Sequence, residues 1–158
     1  VLFPMTGEYA GQANGAIMYS FHEYVEARPG TETLGCVVYA VPRMANGRQS
    51  FCPDVSFHTG PFPSNRMSWI DGPPTFAVEL RSEEDTPEQE RAREAKRADY
   101  FEAGTRCVWD VDPWTDTVFK YTPADPETPT VFRRGDAADA EPAVPGWRLS
   151  VDALFAAN

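Results

Sequence analysis

Histidine is nearly missing from this chain: only His22 and His58 occur in 158 residues, and neither has a partner at metal-ligand spacing, so a zinc site has no support. Cysteine is also sparse. Cys36, Cys52 and Cys107 show no C-x-x-C spacing, and an odd count leaves at least one unpaired. The expected state is buried structural thiols in a reducing compartment. Basic residues are outnumbered, 14 Lys and Arg against 24 Asp and Glu, for a formal charge of −10. That balance argues against tight, non-specific binding of a polyanion by a lone copy, because such binding rests on Lys and Arg contacts to phosphate. Apolar runs fall far short of the ~18–20 residues that cross a bilayer, and Val1-Leu2-Phe3-Pro4-Met5 lacks the cationic start of a signal peptide. A soluble, cytoplasmic chain with no membrane partner is expected. Its first residue is Val1 rather than Met, so a short N-terminal segment is expected upstream.

What is present belongs to a folded protein. Hydrophobic residues make up 42% and aromatics 13% of the chain, and the length suits one domain over residues 1–158. Between residues 9 and 27, Ala13, Ala16, Ile17, Phe21, Tyr24 and Val25 recur at three- and four-residue spacing, which predicts an amphipathic helix ended by Arg28-Pro29-Gly30. Extended runs follow at 34–41 and 48–57, joined through Asn46-Gly47, a strong hairpin pair. Residues 60–74, with four prolines and two glycines, read as an irregular loop. The run 75–80 reads as a central strand buried on both faces, which makes its single acid, Glu79, an anomaly. Thr86-Pro87-Glu88 opens a charged helix that Gly104 stops. Strands are expected at 106–111 and 117–121 around a turn at 112–116, and another at 130–133. Residues 135–145 read as a surface loop before a closing segment at 147–155. The order of elements predicts an α/β domain with a mixed central sheet flanked by helices; its strands would include residues 37–39, 55–57, 76–80 and 108–111. Aromatic and apolar residues at 118–121 and 130–132 suggest an unprotected sheet edge, hence a homodimer.

The chemistry concentrates on two acids. Asp54 follows Pro53 at the start of an extended run, 25 residues before Glu79. Carboxylates on neighbouring strands can converge at one end of a sheet and give Mg²⁺ the hard oxygen ligands it prefers. The alternative stays open at this level: Asp54 as a Pro-Asp turn residue, and Glu79 as a partner of Arg81 or another base.

Pro53-Asp54 followed by Phe76-Ala77-Val78-Glu79-Leu80-Arg81-Ser82 resembles the motifs of the Uma-type restriction endonuclease family, within the PD-(D/E)XK nucleases. The resemblance extends through Glu94-Ala95-Lys96, Tyr100, Glu102-Ala103-Gly104, residues 108–113, Pro145-Gly146-Trp147 and Leu154-Phe155, and back to residues 5–9 with Asn14. It implies a restriction-endonuclease-like fold and a Mg²⁺- or Mn²⁺-dependent endonuclease acting on DNA. Asp54 and Glu79 would be catalytic and bind the metal, with Glu8 as a further metal ligand. The motif lysine is replaced by Arg81, whose pKa is too high for a base. Lys96, on the following helix, is the better candidate for the catalytic cation, with Arg81 second. Blander readings accompany each: Glu8 capping a helix, Lys96 paired with Asp99 or Glu102, Tyr100 as packing, and Glu83-Glu84-Asp85 as a solvated run. Two rival functions are a non-catalytic binding or dimerisation module that retains the fold, and an enzyme acting on a smaller phosphate ester.

Overall fold

The computed structural model describes residues 7–81 and 86–155. The opening residues 1–6 and the run 82–85, including Glu83-Glu84-Asp85, lie outside the described residues.

Helix α1 (Glu8–Glu26) buries Ala10, Ala13, Ile17 and Phe21, the stripe its spacing predicts. Three short strands follow, β1 (Glu32–Leu34), β2 (Tyr39–Ala40) and β3 (Ser50–Phe51), then β4 (Val55–His58) and β5 (Ile70–Asp71). The central strand β6 (Phe76–Leu80) leads through α2 (Pro87–Ala103) to β7 (Cys107–Asp112), β8 (Thr117–Thr122) and β9 (Asp125–Phe132). The chain closes with β10 (Ala137–Asp139), β11 (Arg148–Ser150) and α3 (Val151–Leu154). The main sheet runs β1-β4-β6-β7-β8-β9 and is mixed: β6 and β7 are parallel, and the other pairs antiparallel. α2 is the crossover that a parallel pair requires. Its start is the expected cap, with Thr86 and Gln89 exchanging side-chain and backbone hydrogen bonds, and Gly104, at φ +116°, ends it in a conformation that glycine adopts without strain.

Side chains along β6 and β7 alternate between two cores. Phe76, Val78, Trp109 and Val111 join Ile17 and Phe21 of α1, while Ala77 and Val108 join Tyr39, Phe51, Ile70 and Tyr100 on the α2 face. Glu79 follows Ala77 and Val78 in this alternation and therefore projects on the α2 face.

Several expectations are corrected. The runs at 34–41 and 48–57 are each broken in two. Pro53 has no N–H to give a ladder, and the chain leaves the main sheet after β1. Residues 37–39 consequently do not enter the main sheet: Tyr39 belongs to β2, which pairs with β3 and β5 in a separate three-stranded layer. That layer also recruits Ile70 and Asp71 from the supposed irregular loop. Residues 135–145 are only in part a surface loop: Ala138, Ala140, Ala143 and Val144 are buried in the core that holds Trp109 and Trp147, and the Trp109 indole N–H donates to the Asp139 carbonyl at 2.9 Å.

Cys36 and Cys52 are joined in a disulfide, with Cα atoms 5.4 Å apart, so the reading as free structural thiols holds only for buried Cys107. The odd count could not reveal a pairing created by the break between β1 and β2. At the sheet edge, β8 is interior and β9, which carries Pro126 and Pro129, is the outer strand. Among the described residues no helix is long and apolar enough to cross a membrane.

Phe21 is fully buried and stacks on Trp147, with ring centroids 4.2 Å apart, while also touching Phe57 and Phe76. Phe21→Ala is expected to cost about 3–5 kcal/mol in urea denaturation. Tyr19→Ala, at a side chain 76% exposed on the same helix, should stay within about 0.5 kcal/mol of wild type.

Candidate metal centre

Asp54 sits at the bend that starts β4. Its N–H donates to the Val78 carbonyl at 3.1 Å, and its Oδ2 accepts from the Leu80 N–H at 2.8 Å. The residue is thereby clasped to β6 on both sides of Glu79. From α1, the Asn14 amide reaches the Asp54 carbonyl at 3.5 Å. Opposite, α2 presents Lys96 and Tyr100 one turn apart on one face. The Lys96 Nζ lies 2.6 Å from Glu79 Oε1, and the Tyr100 hydroxyl donates to that same oxygen at 2.6 Å. Tyr100 is fully buried, with Phe51 stacked on its ring at 4.2 Å. It is therefore both packing and a hydrogen-bond donor to the acid. The ammonium of Lys96 meets Glu79, while Asp99 is held by Asn46 and Arg48.

Burial is the main force on Glu79 and pushes its carboxyl above the ordinary range. Lys96 and Tyr100 pull it back, and the Asp54 charge adds a smaller upward push. The Tyr100 phenol is driven upward by the same burial and by the neighbouring Glu79 carboxylate. The anomaly of an acid on the central strand is thus met by a lysine and a tyrosine from α2.

Arg81 follows β6 on the same face and is differently engaged. Its Nε and Nη2 make a two-pronged contact with Asp110, at 2.9 and 2.8 Å, and Glu90 and Asp112 lie 3.5 and 3.7 Å away. Arg97 turns inward to the same Asp110 at 3.5 Å and lies over the Tyr121 ring at 3.9 Å, with Arg93 also facing Asp110 at 3.7 Å. Two of the four basic residues at 91–97 therefore face an internal carboxylate. Sequence reading included Asp110 in the run 108–113 but gave it no role; its place within an otherwise apolar run, like that of Glu79, was the available clue.

Glu8 is exposed at the first turn of α1 and accepts from Gln12 at 3.3 Å. Among the described residues no group of three or more His, Cys, Asp or Glu side chains stands at metal-binding spacing, so Glu8 is not gathered with Asp54 and Glu79. The helix packs on the opposite face of the sheet from Glu79, which accounts for the separation. Two carboxylates remain, and their bonds described above use Asp54 Oδ2 and Glu79 Oε1, with Oδ1 and Oε2 outside those bonds. This donor set suits Mg²⁺, which is commonly held by one or two carboxylates and completed by water and phosphate oxygens.

Folded Glu79 binds its proton more tightly than the unfolded chain, whose carboxyl has the ordinary value of 4.5. The stability this contributes is present below that value and is lost as pH rises through the raised folded value. Glu79→Gln, whose amide oxygen can still accept from Lys96 and Tyr100, is therefore expected to gain melting temperature relative to wild type as the buffer moves from pH 4.5 to pH 8 without divalent ions. A margin that stays constant or shrinks would contradict the burial assignment.

Over residues 1–152 the chain matches the family model Uma2, described as putative restriction endonuclease. The crystal structure of a putative nuclease from Anabaena variabilis superposes with a TM-score of 0.76 at 18% sequence identity, over 98% of this chain and 84% of that one. At that identity the likeness establishes the fold, which is restriction-endonuclease-like. No match is found among curated proteins. With a family model spanning nearly its whole length, the chain belongs to the Uma2 family of putative restriction endonucleases.

Proposed function

We propose that this chain is a divalent-metal-dependent endodeoxyribonuclease, with Mg²⁺ or Mn²⁺ held by Asp54 and Glu79 and with Lys96 as the catalytic cation. The observation that carries the reading is the convergence of Lys96 on Glu79 at 2.6 Å, on the strand to which Asp54 is clasped. A divalent ion bound there would supply a water of lowered pKa and positive charge for the phosphate oxygens. The chain's own groups have distinct tasks. The Leu80 amide aims the Asp54 carboxylate, and the Tyr100 hydroxyl fixes the Glu79 carboxylate. The Lys96 ammonium orients the attacking water or stabilises negative charge developing on the phosphate oxygens. Glu8 would enter as a further ligand only if the start of α1 moved toward the sheet end. Arg81, the second candidate cation, is held by Asp110 and is assigned to steadying β6 and β7 rather than to the reacting phosphate.

Membership in the family supports nucleic acid as substrate. The charge objection persists, because Arg93 and Arg97 face Asp110, and exposed Arg91 lies 3.6 Å from Glu88. DNA would therefore be held mainly through the metal and a few side chains, with weak affinity for duplex. Pairing of two copies into a homodimer would add contacts, and a cytoplasmic setting agrees with a DNA substrate. The same engagement of basic residues, together with arginine at the motif lysine position, favours one alternative: a non-catalytic binding module that retains the nuclease fold.

Plasmid and single-stranded DNA, each incubated with Mg²⁺, with Mn²⁺ and with chelator, separate these readings. Metal-dependent cleavage is expected, abolished in Asp54→Asn and lowered about 10²-fold or more in Lys96→Ala. Cleavage that persists unchanged in Asp54→Asn would overturn the assignment, and no cleavage by wild type with either metal would leave the binding module.

A further inference from the structure

We propose that Cys36–Cys52 is a thiol–disulfide exchange site, open to a dithiol reductant, whose reduction loosens the wall behind Glu79 and weakens divalent-ion binding. The inference rests on the metal centre proposed above. Both cysteines are exposed residues, which places the pair at the surface where a reductant can meet it. Cys52 stands two residues before Asp54 and directly after Phe51, a side chain only 2% exposed whose ring covers Tyr100, the donor to Glu79. One covalent bond thus lies within a short path of both carboxylates, along the backbone to Asp54 and through two stacked rings to Glu79.

The layer that the disulfide closes is held by short ladders, by the packing of Tyr39, Phe51 and Ile70 with Tyr100, and by this one covalent tie. β2 and β3 have two residues each and pair through Tyr39↔Phe51 and Ala40↔Ser50. So short a ladder is marginal without packing or a cross-link. The far end of the loop is tied independently, since Asn46 and Arg48 bond Asp99 of α2. Reduction should therefore leave the fold standing and free the near end, residues 49–54, to open locally. Cys107 is buried in the other core and is no ready partner for reshuffling.

In the exchange a thiolate of the dithiol attacks one sulfur of the pair, the protein S–S bond breaks, and the departing cysteine leaves as thiolate and takes a proton. The second thiol then displaces the mixed disulfide. The chain gains two thiols and the reductant becomes a disulfide, a transfer of two electrons and two protons. Disulfides of cytosolic proteins are mostly transient, catalytic or redox-sensing, so a cytoplasmic setting would make this pair a sensor.

The test is calorimetric titration of Mn²⁺ into the oxidised chain, the chain reduced with a phosphine, and Cys36→Ser/Cys52→Ser, with hydrogen exchange on all three. Oxidised chain should bind Mn²⁺, and both other forms should bind at least about fivefold more weakly, the lower end of couplings between linked sites. Amides at 49–54 and 97–101 should exchange faster while the main sheet stays protected. Equal Mn²⁺ affinity in the three forms would overturn the proposal, as would three titratable thiols in the unfolded, air-oxidised chain. Should the oxidised chain bind no Mn²⁺, the metal centre itself fails and with it the effect on binding. Hydrogen exchange then decides the remainder: unchanged protection of 49–54 and 97–101 overturns the loosening, and faster exchange upholds it.

Discussion

The hydrogen bond from the Leu80 amide to the Asp54 carboxylate is the constraint around which the site is arranged. It spans two neighbouring strands and fixes the first acid relative to the strand carrying the second. Because β6 lies between β4 and β7 in the middle of the main sheet, the strand that carries Glu79 is held by ladders on both sides. The position also explains why Glu79 is costly: a central strand offers little water, and the acid depends on Lys96 and Tyr100 from α2.

Two charge systems share this face. Glu79, Lys96 and Tyr100 form one, near the open end where Asp54 sits. Arg81, Arg97 and Asp110 form the other, one strand further into the sheet. Removing one partner from such a buried set leaves an uncompensated charge. The planar fork of Arg81 matches Asp110 in a way that a lysine could not reproduce. The consequence for binding is direct, since basic residues turned inward cannot meet phosphate.

Much of this was legible in the sequence because local chemistry and tertiary role agreed. The cap at Thr86, the apolar stripe of α1 and the run of β6 each announce one element with one burial pattern. Asp54, Glu79 and Lys96 stood out through motif resemblance, and Glu79 also through being charged within an apolar run. What was hidden depended on long-range placement. The chain leaves the main sheet after β1 and re-enters it at β4, just past Pro53, so Tyr39 and Phe51 lie in a second layer. That rearrangement sets Cys36 beside Cys52 and lays Phe51 on Tyr100. Glu8 was carried over by resemblance, but helix spacing alone could not say on which face of the sheet α1 would pack. Residues 135–145 looked like loop because alanine and aspartate are common there; that four of them enter the core beside Trp109 and Trp147 is a matter of long-range placement.

Anomalous diffraction from crystals soaked in Mn²⁺ tests the proposed centre most directly. A single peak is expected within about 2.0–2.3 Å of oxygens from both Asp54 and Glu79, with the Lys96 ammonium displaced from its present contact with Glu79. A peak at Asp110 and Asp112 instead, or none near Asp54 at saturating Mn²⁺, would contradict it.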